Sequence, residues 1–141
     1  MFLTGALQRY SGLMNYLMPL LLLAAVLSSS EKNRVAAGDW AGGRARLTVQ
    51  KDGASLELDC AHGSLEAMTL GEGGRFDVAG RFVREHGGPI RQDETEEALP
   101  ARYQGSVQGQ TMSLKIVIEG AEAVGPLELT LGGKARLMKC R

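Results

Sequence analysis

The sequence predicts an all-β protein: a small antiparallel up-and-down barrel of about eight strands or, as the alternative, a β-sandwich. Apolar and polar residues alternate with a period of two through most of the chain beyond Arg44, the pattern of strands with one buried and one wet face. Glycine-rich turn signals separate those runs at short, even spacing, as antiparallel barrels and sandwiches require. No segment after residue 30 shows a helical period.

The chain opens with a different kind of segment. Residues 17–27 read LMPLLLLAAVL and are followed by three serines. As a helix this run reaches about 17 Å at about 1.5 Å per residue, whereas a bilayer core is about 30 Å thick. Arg9 precedes it, no acid occurs before Glu31, and Ser28, Ser30, Ala36 and Ala37 are small enough for cleavage. These are the features of a signal peptide, so residues 1–30 are expected to form a signal-type helix, with Met14 as an alternative start. No cysteine lies at that junction, which excludes a lipid anchor there. An uncleaved anchor is the alternative, with membrane contact confined to residues 17–27. Lys32 and Arg34 on its far side oppose an N-in orientation. Residues 31–39 then read as a connector and residues 40–141 as one β domain.

The strands follow in order. Ala45, Leu47 and Val49 alternate with Arg46, Thr48 and Gln50, and Lys51-Asp52-Gly53 is a turn, since glycine takes positive φ freely. Ala54, Leu56, Leu58 and Cys60 form the apolar side of the next run. Phe76, Val78, Gly80 and Phe82 form another, then Tyr103, Gly105 and Val107, then Met112, Leu114, Ile116 and Ile118, then Leu127, Leu129 and Leu131. Residues 65–70 and 135–139 are weaker strand candidates. Turns are expected at residues 71–74, Gly109-Gln110, Glu119-Gly120, Gly125-Pro126 and Gly132-Gly133. Residues 85–99, rich in glycine, proline and acid, form the longest loop and the natural place for function.

Cys60 and Cys140 are the only cysteines. In an exported chain such a pair reads as a disulfide, closing a loop of about 80 residues that stabilises by roughly 4 kcal/mol in the chain-entropy model. Cys140 lies off the Ala135/Leu137 parity, so the bridge is expected to need a bulge or a frayed last strand.

Composition excludes several partners. Without residues 1–30 the chain carries 15 basic against 16 acidic side chains, which offers no electrostatic footprint for nucleic acid or anionic lipid. Only Trp40, Phe76, Phe82 and Tyr103 remain as aromatics, too few for a base-stacking or carbohydrate face. No G-x-S-x-G elbow or Walker loop occurs, and no cofactor is expected.

Gly38-Asp39-Trp40 ahead of the strands, with Arg136 near the end, resembles the Gly-x-Trp and terminal-strand arginine of lipocalin and avidin-like barrels. That resemblance implies an arginine packed across the tryptophan at the barrel floor. Asp59-Cys60-Ala61-His62-Gly63, residues 74–78, 84–89 and 100–103, and Thr111-Met112-Ser113-Leu114 resemble segments of a group of small exported bacterial proteins of unknown function, which implies no activity.

The chemistry-bearing positions are His62, beside Asp59 and Cys60, and His86, beside Glu85. If both ends share one rim, Asp59, His62, Glu85 and His86 have the ligand types for a divalent metal or an acid/base pair. The plainer reading makes each histidine a turn-bonding or solvated residue, since no H-x-H or HExxH spacing occurs. Cys60 as a nucleophile is weaker than Cys60 as half of a disulfide. Gly87-Gly88-Pro89 allows close backbone approach and leads to Arg91. Asp93, Glu94, Glu96 and Glu97 lack calcium-loop spacing. The expectation is a non-catalytic binding module of the cell envelope, periplasmic or extracellular. It would contact a small ligand or an envelope protein through a rim containing Asp59, His62, Glu85, His86 and Arg91. A metal-assisted or acid/base enzyme using His62 and His86 is the alternative.

Overall fold

A computed structural model describes residues 33–89 and 97–140. The expected signal-type helix and Arg91 lie outside these residues. Eight antiparallel strands form one closed barrel, not a sandwich. They are β1 (Gly38–Gly42), β2 (Ala45–Gln50), β3 (Gly53–Leu58), β4 (Ala61–Glu66), β5 (Arg75–Arg84), β6 (Ala98–Gln108), β7 (Thr111–Ile118) and β8 (Val124–Leu131). Each strand pairs with the next, and β8 returns to β1. We call the end carrying the β1–β2, β3–β4, β5–β6 and β7–β8 connections the upper end. The β2–β3, β4–β5 and β6–β7 connections lie at the lower end.

Three elements differ from the sequence reading. The first strand, β1, lies earlier than the alternation reveals. Its Trp40 faces inward, yet Ala41 on the opposite parity is also buried, at 1% exposure, so the usual in-out signal is lost. Next, β4 spans Ala61–Glu66 rather than residues 65–70. Its inward positions are Ala61, Gly63 and Leu65, of which two are small, and the Tyr103 ring fills the space beside Gly63. Finally, residues 135–139 form no strand. Both edges of β1 are already taken, by β2 and β8. Gly132, at φ 74, turns the chain away. The Gly125-Pro126 signal also marks no turn. It lies inside β8, opposite the register shift between Leu114 and Ile116.

An eight-strand barrel has an interior just wide enough for side chains to fill, and here they fill it. Trp40, Leu47, Leu56, Tyr103, Met112, Leu114, Ile116 and Leu129 are all less than 2% exposed. Burying each large apolar side chain contributes about 1.5–3 kcal/mol. Residues ahead of β1 also belong to this core. Val35 and Met68 are buried, and the Val35 N–H donates to Met68 O at 3.2 Å. Trp40 Nε1 donates to Ala36 O at 2.9 Å, which satisfies the indole. The outer face carries the charges, for example Arg102 Nε on Asp77 Oδ1 at 2.8 Å, the inverse of a lipid-facing barrel. Among the described residues no helix is long and apolar enough to cross a membrane.

Closing so small a barrel demands sharp coiling, and three inward glycines provide it. A Cβ on Gly105 would lie 2.8 Å from Phe76 Cζ, and one on Gly80 would lie 2.8 Å from Tyr103 Cε2. One on Gly63 would overlap Tyr103 Oη. The rings occupy the space the glycines vacate, the aromatic rescue of glycine kinks. Tyr103 Oη also donates to Arg81 O at 2.6 Å.

Gly63→Ala should therefore cost about 1–3 kcal/mol through overpacking. Tyr103→Phe removes the atom met first, so denaturant melts of the double variant should show a penalty smaller than the sum of the two. Burial also pushes the Tyr103 phenol from 10.0 up to about 12. The unfolded chain then loses this proton first as pH rises. The stabilisation is complete below pH 10 and is lost as pH climbs through about 12, a loss of roughly 2–3 kcal/mol. Unfolding free energies measured between pH 9 and 12 should fall along this limb in the natural chain, and Tyr103→Phe should remove that part of the fall.

Candidate functional site

The upper rim gathers most of the residues singled out by their chemistry. Asp59 and Cys60 are the two-residue turn joining β3 to β4, since Leu58 pairs with Ala61. Cys60 adopts φ 57, a left-handed conformation that costs a non-glycine residue about 1–2 kcal/mol. Its carbonyl accepts from the Glu85 N–H at 2.8 Å, which pins the exit of β5 beside the turn.

The C-terminal residues 133–140 form a strap that returns from the lower end to this rim. Gly132 N–H donates to Asp39 O at 2.8 Å, and Arg136 N–H donates to Gly43 O at 2.9 Å. Gly133 lies against β1, where a Cβ would sit 2.5 Å from Ala41 O. The strap thus covers the outer side of β1, which accounts for buried Ala41. Its end is held by the Cys60–Cys140 disulfide, with Cα atoms 5.0 Å apart. Neither cysteine belongs to a strand. The parity conflict noted in the sequence is resolved without a bulge, because a turn meets a strap.

Two carboxylates receive the strap. Asp59 Oδ1 accepts the Met138 N–H at 2.6 Å, while Asp59 Oδ2 accepts Arg44 Nη1 at 3.0 Å. Lys139 Nζ lies 3.4 Å from Glu85 Oε2 and donates to Leu58 O at 3.3 Å. Glu85 Oε1 also takes His62 Nδ1 at 3.1 Å. A carboxylate only accepts, so Nδ1 carries the hydrogen. His62 stands on the outer side of β4, between Glu57 and Val83 in register. Its side chain is 37% exposed and that of Glu85 27%. At such exposure each ion pair contributes under about 1 kcal/mol. The set positions chain segments more than it stabilises them.

Asp59, His62 and Glu85 are therefore brought to one rim. His86 follows Glu85 and places Nδ1 3.0 Å from Gly87 O, a local backbone contact. Arg91 lies outside the described residues. Among the described residues no group of three or more histidine, cysteine, aspartate or glutamate side chains is arranged to hold a metal ion. The rim acids instead face Arg44, Lys139 and a backbone amide, and both cysteines are bridged. Sequence reasoning missed Arg44 and Lys139. The signal for Lys139 was its place beside Cys140, because a bridge to Cys60 brings it to the turn containing Asp59.

A second feature lies on the outer wall of β4 to β7. It is an open groove of about 570 Å³ lined by Ala79, Arg81, Pro100, Arg102, Val117 and Glu119, among others. Gly80 also lines it. No family model, curated protein or solved structure matches the chain.

The disulfide joins residues 80 apart, and its loss should lower stability by about 2–4 kcal/mol. Urea melts of the natural chain and of the Cys60→Ser/Cys140→Ser variant should differ by that amount. Fluorescence of Trp40, the sole tryptophan, would report the transition.

Proposed function

We propose that the protein is a non-catalytic, exported binding module that acts through its upper rim on an envelope protein or a small ligand. The observation that carries this reading is that the rim already holds an extended peptide segment, its own strap. Asp59, Glu85 and the Leu58 carbonyl each accept a hydrogen bond from it. Two further points support it. Trp40, Tyr103 and their neighbours fill the interior, which directs recognition to the surface. The disulfide fits an oxidising compartment, in keeping with the leader-like residues 17–27. The acid/base alternative has one contact in its favour, the His62–Glu85 hydrogen bond.

The test places a photo-crosslinking residue at Gly87 on the upper rim or at Asp52 on the lower end of the full chain. Position 87 should give a discrete adduct in envelope extracts, and position 52 should not. The proposal fails if the chain turns over ester or phosphoester substrates and His62→Ala abolishes that turnover while Trp40 fluorescence stays native.

A further inference from the structure

We propose that the upper rim is a receptor for a lysine-bearing extended peptide, and that the strap is a tethered occupant of this receptor, released by thiol–disulfide exchange. The inference rests on the binding-module reading and names its partner class and its control.

The argument starts from what the strap presents. Between Arg136 and Cys140 it offers the rim two backbone N–H groups and one ammonium. Arg136 N–H goes to Gly43 O, and Met138 N–H goes to Asp59 Oδ1. Lys139 Nζ goes to Glu85 and to Leu58 O. Met138 is 62% exposed, so its side chain contributes little to the docking. The recognised chemistry is thus an extended backbone with a lysine one residue beyond an amide donor. Any segment of that description satisfies the same acceptors. A bare pair of acids would make no such selection. Here Asp59 is turned toward an amide and toward Arg44, while Glu85 is turned toward an ammonium and toward His62. The two acids therefore read different parts of the peptide.

The disulfide decides whether the strap yields. While it is intact, Lys139 is tethered next to its acceptors at an effective concentration in the millimolar range or above, and a free peptide cannot compete. A dithiol reductant, small molecule or oxidoreductase, removes the tether. Its thiolate attacks one sulfur of the bridge and forms a mixed disulfide, releasing the other cysteine as a thiol. Its second thiol resolves that mixed disulfide. Two electrons and two protons pass to Cys60 and Cys140, and the dithiol leaves oxidised. The strap is then held only by its few hydrogen bonds, and Gly132-Gly133 is its natural pivot. Release also frees Cys60 from covalent restraint in its left-handed turn.

The probe is a fluorescein-labelled peptide of residues 134–139, measured by fluorescence polarisation against the full chain. Oxidised natural protein should bind it at least tenfold more weakly than the Cys60→Ser/Cys140→Ser/Lys139→Gln variant. That variant lacks both the tether and the competing ammonium. Adding Glu85→Gln should reverse the gain, and a probe carrying Lys139→Gln should bind the opened chain at least fivefold more weakly than the original. Native Trp40 fluorescence establishes that each variant is folded. A second variant, Lys139→Gln with the disulfide kept, retains the staple and should still gain probe binding on addition of a dithiol. The proposal is overturned if the opened, folded chain binds the probe no better than the oxidised natural protein. It is also overturned if the probe carrying Lys139→Gln binds equally well. Crosslinking from position 87 that ignores the redox state would leave the binding-module reading standing and remove this one. No adduct in either state would remove the binding-module reading and this one with it.

Discussion

The fold depends on one seam. Seven of the eight strand contacts join consecutive hairpin partners, and the chain makes those almost by itself. The eighth, β1 with β8, joins the two ends of the sheet and pays the full entropy of closing the ring. It is also short. Its register holds two residue pairs, Trp40 with Leu131 and Ala41 with Thr130, against nine for β5 with β6. Inside, Trp40 and Leu129 seal the seam by burial. Outside, the strap finishes it: Gly132 bonds to Asp39, Gly133 covers Ala41, and Arg136 reaches Gly43. The disulfide then fixes the far end of the strap to the β3–β4 turn. A link spanning 80 residues thus acts on the weakest contact of the barrel, although it touches neither strand of that contact.

Curvature is the second condition for that seam, because a flat sheet never brings β8 back to β1. The bending is concentrated where inward glycines face aromatic rings: Gly105 with Phe76, and Gly63 and Gly80 with Tyr103. Tyr103 does two jobs there. Its ring fills the space left by the glycines, and its hydroxyl secures the Arg81 carbonyl at the bend. Gly80 also lines the groove on the outer wall.

Much of this was legible in the residues. Alternation located β2, β3, β5, β6, β7 and most of β8 because their buried positions are apolar and recur every second residue. It failed where burial does not follow parity. In β1 the strap buries the outward Ala41, so both faces read alike. In β4 Gly63 has no side chain because the Tyr103 ring from β6 occupies its space, and a local pattern cannot report a distant ring. Residues 135–139 alternate for another reason: one side of the strap rests on the barrel and the other meets water, which imitates a strand without a ladder. The count of eight was reached with the strap in the place of β1. For the site, Asp59, His62 and Glu85 could be found as polar groups flanking strand ends. Arg44 and Lys139 could not be found by motif, since only the path of the strap brings them there.

The same strap serves closure and occupies the rim, and this couples the two. A ligand that binds with the strap in place adds its free energy to the folded state. One that displaces the strap must also offset what the seam loses when Ala41 is uncovered and the Gly43 contact breaks. The disulfide sets the size of that difference. With the bridge intact, displacement requires breaking the staple between the strap and the β3–β4 turn. With the bridge open, displacement costs a handful of exposed hydrogen bonds and one partly screened ion pair, each worth about 1 kcal/mol or less. The two carboxylates at the rim are then held by contacts that a competing peptide can reproduce. Those at the seam, backbone to backbone and against β1, it cannot reproduce without following the same path. Asp59 and Glu85 are in this sense the exchangeable end of the strap, and residues 132–136 its structural end.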